Sequence, residues 1–315
     1  MGFSIRLDTF AEDLTTSINK IRLQLLGAEP PRFLFHYTNS SVVQNIANTG
    51  VLWATPVVGL EDKMEIHHGA HVVSDEVTRA RNAGLRGLPA EVLFRVPEAV
   101  IARMDHIYVA CFCSMESSEY HWTNYGDHCL KFDTDFRREP ILRPLLGDAY
   151  VGYHHVIYGE RHQRQAIRKA IHACIHELDR KSAGANAGAC ADPMVKSVAR
   201  GVTELFLDLI VAFKNECYEG EQEWRLAVRP RSALYSAAPA DDDQRFRSII
   251  RTGSGLKHID LYVPRKFSSS ASFLCPEVPF SAVVLSPKCP AEGAEKIRRV
   301  LSENGRVDIP VAVGV

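Results

Sequence analysis

Glu219-Gly220-Glu221-Gln222-Glu223-Trp224-Arg225-Leu226 is the stretch around which the rest of the chain is ordered. Three carboxylates within five residues repel one another, so a purely structural strand gains little from them. Directly after them, Trp224, Leu226 and Val228 alternate with Arg225, Ala227 and Arg229. That is the period-two pattern of a half-buried strand. Glu221 and Glu223 are two residues apart, which on a strand points both to one side at its mouth. A carboxylate fixed there can accept a hydroxyl proton or steady a developing positive charge. The competing reading is a solvated turn leading into an edge strand.

Working outward, the N-terminal Ala11 to Leu26 segment carries Leu14, Ile18, Ile21 and Leu25 on one helical stripe, giving a helix over about 8–27. After Pro30-Pro31, Arg32 to Thr38 reads as a strand. Asn39 and Ser40 can cap a short helix with Val43, Ile46 and Ala47 inward and Gly50 as its stop. Val51 to Ala54 returns as a strand. Helices are expected over 66–81 and 90–104, the latter interrupted near Pro97. Further strands are expected over 107–112, 128–133, 149–158, 221–228, 259–263 and 282–285, with a short helix or turn over 117–125 and a closing helix over 291–303. Two long amphipathic stretches, 160–180 and 193–214, make an inserted helical region of about 160–215. The Ala- and Gly-rich 182–192 segment joins them as a connector. One domain spanning 1–315 accommodates all of this.

A formal charge of −1 and a pI near 6.9 give no global field toward nucleic acid or anionic membrane. The N-terminus lacks the apolar core of a signal peptide, and no apolar run approaches the ~18 residues of a membrane span. Eight cysteines include no C-x-x-C pair, and His172 and His176 have no third ligand in view, so no metal and a reducing, cytoplasmic setting are expected. There is no P-loop and no G-x-G-x-x-G. Arg137, Arg138, Arg143, Arg161, Arg164, Arg168 and Lys169 form a basic run that either faces nucleic acid or is a solvated face.

Two more stretches carry groups suited to chemistry. Phe35-His36-Tyr37-Thr38 ends a strand with an imidazole and a hydroxyl, for a sugar or phosphate or for a satisfied core histidine. Cys111-Phe112-Cys113-Ser114 is followed by Tyr120-His121-Trp122-Thr123-Asn124-Tyr125-Gly126. Trp122 and Tyr125 share one face of a helical turn and stack either on a planar heterocycle or in the core. Gly126 suggests a tight turn that leaves the Tyr125 ring near a surface.

The ordered set F-H-Y-T, L-W-A-T, an acidic loop, C-F-C-S, W-x-x-Y-G, Lys131-Phe132-Asp133, E-x-E-W-R-L and Val283-Val284-Leu285-Ser286-Pro287 runs from about Phe33 to Pro287. It resembles a widespread bacterial family of domains of unknown function. That family in turn looks like a divergent branch of the ADP-ribosyltransferase superfamily, similar to nucleic-acid-modifying toxins and diphtheria-toxin-like enzymes. The resemblance implies an α+β fold with a split, mixed or antiparallel sheet, flanking helices and an inserted helical hairpin. It implies NAD as co-substrate, a macromolecular acceptor (RNA, DNA or protein), and a role as toxin or anti-phage effector with a neutralising partner. Under it His36, with Tyr37 and Thr38 beside it, holds the adenosine-side ribose. Tyr125 packs on the nicotinamide, with Trp53 or Trp122 as the second aromatic. Glu223, or else Glu221, binds the nicotinamide-ribose hydroxyl, and Arg32 or Arg79 meets the pyrophosphate.

Three other functions compete with transfer. One is a non-catalytic nucleotide- or protein-sensing module on the same fold, and another is an NAD glycohydrolase using water as acceptor. The third is a thiol hydrolase pairing Cys113 or Cys129 with His121 or His128, although such partners usually come from separate segments.

Overall fold

The structure, a computed structural model, describes residues 2–26, 28–60, 64–134, 143–144, 149–182, 192–230, 258–262 and 279–314. Nearly all of the expected connector 182–192, the loop 237–243, the serine run 268–270, and Arg137 and Arg138 lie outside these residues. In chain order the elements are α1 (Gly2–Leu26), β1 (Phe33–Thr38), α2 (Ser40–Thr49), β2 (Leu52–Pro56), α3 (Met64–Asn82), α4 (Gly87–Leu93) and α5 (Val96–Ile101). There follow β3 (Tyr108–Cys113), α6 (Glu119–Tyr125), β4 (His128–Asp133), β5 (Arg143–Pro144), β6 (Ala149–His155), β7 (Ile157–Tyr158), α7 (Glu160–Ser182) and α8 (Asp192–Val211). The chain continues with β8 (Phe213–Lys214), β9 (Glu223–Pro230), β10 (Ile259–Tyr262), β11 (Ala282–Leu285), α9 (Ala291–Glu303) and β12 (Val311–Val313). The fold is α+β with a mixed sheet. No helix among the described residues is long and apolar enough to cross a membrane.

Two compact units form. The helical one is built from Met1–Ala28, Leu60–His106 and Val156–Glu216, so the 160–215 region is one of its three contributing segments. Its centre is α8, packed on α1, α3, α4, α5 and α7. From Leu205 to Val211 every α8 residue is buried, as expected of a helix that is apolar on nearly all sides. The one polar residue of that run, Asp208, is met by Arg22 of α1 at 3.4 Å. Leu14, Ile18 and Ile21 of α1 and Ile167, Ile171 and Leu178 of α7 supply the inward stripes read from the sequence.

Helix α8 stops at Val211 rather than running to Lys214, because Phe213–Lys214 pairs in parallel with Ile157–Tyr158. The Gln163 amide secures that pair by donating to the carbonyls of Ile157 and Lys214 at 3.1 and 2.8 Å. The same pairing explains why the expected 149–158 strand is two strands broken at Val156. The expected 90–104 helix divides into α4 and α5, with Pro97 in the first turn of α5, where its missing N–H is no loss. On α7, Arg164 and Arg168 are engaged by Glu76 of α3, and Arg164 also by Asp75 and Glu160. Much of the basic run read on this helix is therefore neutralised within the fold.

The second unit comprises Glu29–Gly59, Ile107–His155 and Cys217–Val315 and holds the main sheet. Strand order is β12-β11-β4-β1-β3-β2-β10-β5, with β9 along the other edge of β3 and β6 beyond β9. Only β11–β12 is a parallel pair in this sheet among the described residues. Strand β1 pairs with β4 along its whole length but meets β3 only at Phe35↔Cys113. Strand β2 meets the same edge of β3 only at Thr55↔Val109 and Pro56↔Tyr108. Strands β1 and β2 thus share one edge of β3 and diverge from each other, opening a split in the sheet.

Leu34, Val43, Ile46, Leu130, Leu226, Ile297 and their neighbours form the larger core beneath α2 and α9. Phe35, Tyr37, Cys113, Cys129 and Val284, with Trp122 and Tyr125 against them, form a smaller cluster on the other face. Strand β9 departs from its half-buried reading. Lying between β3 and β6, it is buried on both faces from Glu223 to Arg229, so Arg225 and Arg229 are interior residues.

Gly126 ends α6 at φ +120°. A Cβ there would overlap the Thr38 carbonyl oxygen. Gly126→Ala is therefore expected to lower stability by about 1–3 kcal/mol through strain and overlap, read as a shift in the urea midpoint.

Candidate active-site cleft

The split between β1 and β2 holds a cavity of about 370 Å³, within the range of small-molecule sites. Its lining includes His36, Tyr37 and Thr38 of β1, Ser41 and Asn45 of α2, Trp53 and Thr55 of β2, Tyr125 at the end of α6, and His258 before β10. Residues from separate parts of the chain meet here only because β1 and β2 diverge.

At the split, His36 Nδ1–H donates to the carbonyl of Cys111 on β3 at 2.8 Å. That bond satisfies backbone which neither β1 nor β2 reaches, and it fixes the tautomer with Nε2 as an acceptor. Burial pushes the His36 pKa below its ordinary 6.5, so the ring is neutral at pH 7. Below 6.5 the unfolded chain takes a proton that folded His36 resists, so this contribution to stability is full above 6.5 and lost as pH falls. Between 6.5 and about pH 5, urea midpoints should fall more steeply for the wild type than for His36→Gln.

Tyr37 is bound from several sides. Its hydroxyl donates to the Met115 carbonyl at 3.0 Å, and its ring stacks on His121 with centroids 4.6 Å apart. Trp122 meets Tyr37 edge-on at 4.5 Å and belongs to the smaller core cluster, not to the cavity lining. Trp53 does line the cavity, stacked on His258 with centroids 5.5 Å apart and planes inclined at 21°.

The two glutamates are not successive outward positions of one strand. Glu221 closes a 3-10 turn (Glu216–Glu221), Gln222 takes a left-handed φ of +45°, and only then does β9 begin at Glu223. That backbone inversion resets the alternation. Both carboxylates are interior, at 5 % and 3 % exposure. The Tyr125 hydroxyl donates to Glu221 Oε1 at 2.6 Å, and His121 Nε2–H donates to the Glu221 carbonyl at 3.0 Å. The carboxylate of Glu223 is held by both arms of a fork, Arg225 Nε at 2.8 Å and a terminal nitrogen at 3.2 Å. Burial pushes the Tyr125 hydroxyl pKa upward, as do its bond to Glu221 and the charge of Glu223. Burial likewise drives the Cys113 thiol up to about 12, with both glutamates adding to the effect. Cys129 is also raised by burial, so burial holds both thiols toward the protonated, less nucleophilic form.

His36, Tyr37, Thr38, Trp53 and Tyr125 therefore share one cavity. Glu221 sits directly behind Tyr125, Glu223 is close enough for its charge to act on the same phenol, and neither glutamate is itself in the lining. Arg32 pairs with Asp133 near the start of β1, and Arg79 pairs with Glu76 in the helical unit. No lysine or arginine lines the cavity among the described residues. The sequence reading missed Asn45 and His258 as lining groups and Arg225 as the partner of Glu223. An arginine two residues after a glutamate within an otherwise apolar strand was the available signal for the last. In comparisons with protein-family models, with curated proteins and with solved structures, no match to the chain was found.

Proposed function

We propose that the chain is an NAD-consuming enzyme of the ADP-ribosyltransferase type, built on a split sheet of that superfamily's kind and acting on a macromolecular acceptor. One observation carries the reading: His36 and Tyr125 line a single cavity, and Tyr125 is bonded to Glu221 with Glu223 close by. The lining suits the nucleoside parts of NAD, offering an imidazole acceptor, hydroxyls and aromatic rings. NAD supplies a glycosidic bond whose cleavage develops positive charge on the ribose.

In this reading His36 Nε2 accepts a ribose hydroxyl, while its Nδ1–H stays fixed on Cys111. Tyr125 packs against the nicotinamide. A nicotinamide-ribose hydroxyl replaces the Tyr125 phenol on Glu221 and also meets Glu223. Glu223, oriented by Arg225, supplies fixed negative charge without reorganising during the reaction. Residues on three separate segments then act at one glycosidic bond. A bacterial toxin or anti-phage role, with a neutralising partner, belongs to the proposal through the sequence resemblance.

The test uses NAD labelled on the adenylate phosphate, incubated with the full chain with and without cell extract. Release of nicotinamide with label on RNA, DNA or protein supports transfer. Release with free ADP-ribose as the sole product replaces transfer by hydrolysis. No release under either condition removes the enzymatic reading and leaves a sensing module.

A further inference from the structure

The helical unit holds a cavity of its own, about 580 Å³ and larger than the cleft. Three segments remote in the chain line it: the first turns of α3, the start of α7, and β8 with the residues after it. A spacing of three along α3 puts Glu65, His68 and His71 on one ridge, and all three border the cavity. Across from them Gln163, 2 % exposed, spends its amide hydrogens on the carbonyls of Ile157 and Lys214. Its Oε1 is therefore the acceptor in the 3.2 Å contact with His68 Nε2, so His68 carries its proton there. In the neutral ring that leaves Nδ1 as an acceptor, and His68 makes no other hydrogen bond among the described residues. The carboxylates of the lining are Glu65, Glu160 and Glu216, against Lys214 alone as a fixed cation. Arg164 takes up Glu160 at 2.7 Å. Gly159, at φ +79°, makes room for Glu216, since a Cβ there would lie 3.1 Å from the Glu216 Oε2.

A lining of this kind offers acceptors and negative charge, so its ligand brings donors and positive charge. A single metal ion does not suit it, because no three His, Cys, Asp or Glu side chains among the described residues gather closely enough to hold one. The acceptors stand on separate walls instead, which suits a chain carrying more than one ammonium group. Met64 and Phe213 supply apolar surface for the methylenes between them. We propose that this cavity binds an aliphatic di- or polyamine, with one ammonium donating to His68 Nδ1 and another to Glu216. Gln163 is the positioning residue, because it fixes which nitrogen of His68 accepts. The site stands apart from the cleft and from any reading of NAD.

Calorimetric titration of the full chain with spermidine, putrescine, butanediol and magnesium chloride at constant ionic strength tests it, with melting curves confirming that each variant is folded. Spermidine or putrescine should bind, while butanediol, which keeps the carbon chain of putrescine without its charges, should not. His68→Phe keeps a ring but removes the acceptor, and should weaken the amine roughly tenfold. Glu216→Gln should do the same, and because Glu216 is exposed it carries the test even where the His68 variant fails to fold. Glu292→Gln, an exposed carboxylate on α9 outside this lining, should bind as the wild type does. Absence of binding by both amines overturns the proposal, as does equal binding by the wild type and the Glu216 variant. Equal weakening by the Glu292 variant, or displacement of the amine by magnesium, reduces the effect to general surface charge and overturns it too.

Discussion

Under the proposed function, Glu223→Gln is expected to lower the rate of nicotinamide release from NAD by roughly 10²–10³-fold, the scale on which loss of one preorganised electrostatic group is felt. The substitution keeps the shape of the side chain and one acceptor oxygen but removes the charge that Arg225 holds in place at 2.8 and 3.2 Å. NAD affinity should change far less than turnover, because the interaction is strongest when positive charge develops on the ribose. Glu221→Gln should have a smaller effect on turnover, since the carboxylate that a guanidinium fork holds in fixed orientation is that of Glu223. Single-turnover assays by chromatography measure both. A Glu223→Gln enzyme at wild-type speed beside an inactive Glu221→Gln would exchange the two roles.

The second large effect is on stability. Arg225→Ala leaves the Glu223 carboxylate, 3 % exposed, without its guanidinium and should destabilise the fold by about 3–5 kcal/mol. Urea unfolding followed by circular dichroism reads this directly. Because desolvating two charges nearly offsets their attraction, the double variant Glu223→Met with Arg225→Met should recover much of the lost stability. It should nonetheless remain inactive, which separates the chemical role of the pair from its place in the core. A double variant as unstable as Arg225→Ala would mean that further contacts of Arg225 dominate.

Much of the local structure is legible in the sequence because its signals are local. The Phe33–Thr38 strand, the helix capped by Asn39 and closed by Gly50, and the Ala282–Leu285 strand all appear where composition and caps place them. Asn39 accepts from the amides of Ser41 and Val42, as its position predicts. What the sequence hides depends on partners remote in the chain. Helix α8 is cut short by the pairing of Phe213–Lys214 with Ile157–Tyr158, and nothing in its own apolar stripe announces that.

The candidate site is legible in its members more than in its geometry. His36, Trp53 and Tyr125 each stand out in the sequence one by one, yet their meeting depends on β1 and β2 diverging along β3, a property of pairing and not of composition. Glu221 and Glu223 escape the expected alternation at Gln222, where a non-glycine residue takes φ +45°. No pattern of apolar and polar residues encodes such a reversal. The carboxylates are still gathered near Tyr125, through a turn rather than through a shared strand face.

The most direct measurement is a crystal structure of the Glu223→Gln chain grown with NAD. The nicotinamide ring is predicted to lie against Tyr125, with its ribose hydroxyl between Glu221 and the amide introduced in place of the Glu223 carboxylate. His36 Nε2 should meet the other ribose. NAD bound outside the β1–β2 split, or a cleft that stays empty while the wild-type chain cleaves NAD, would contradict the proposal.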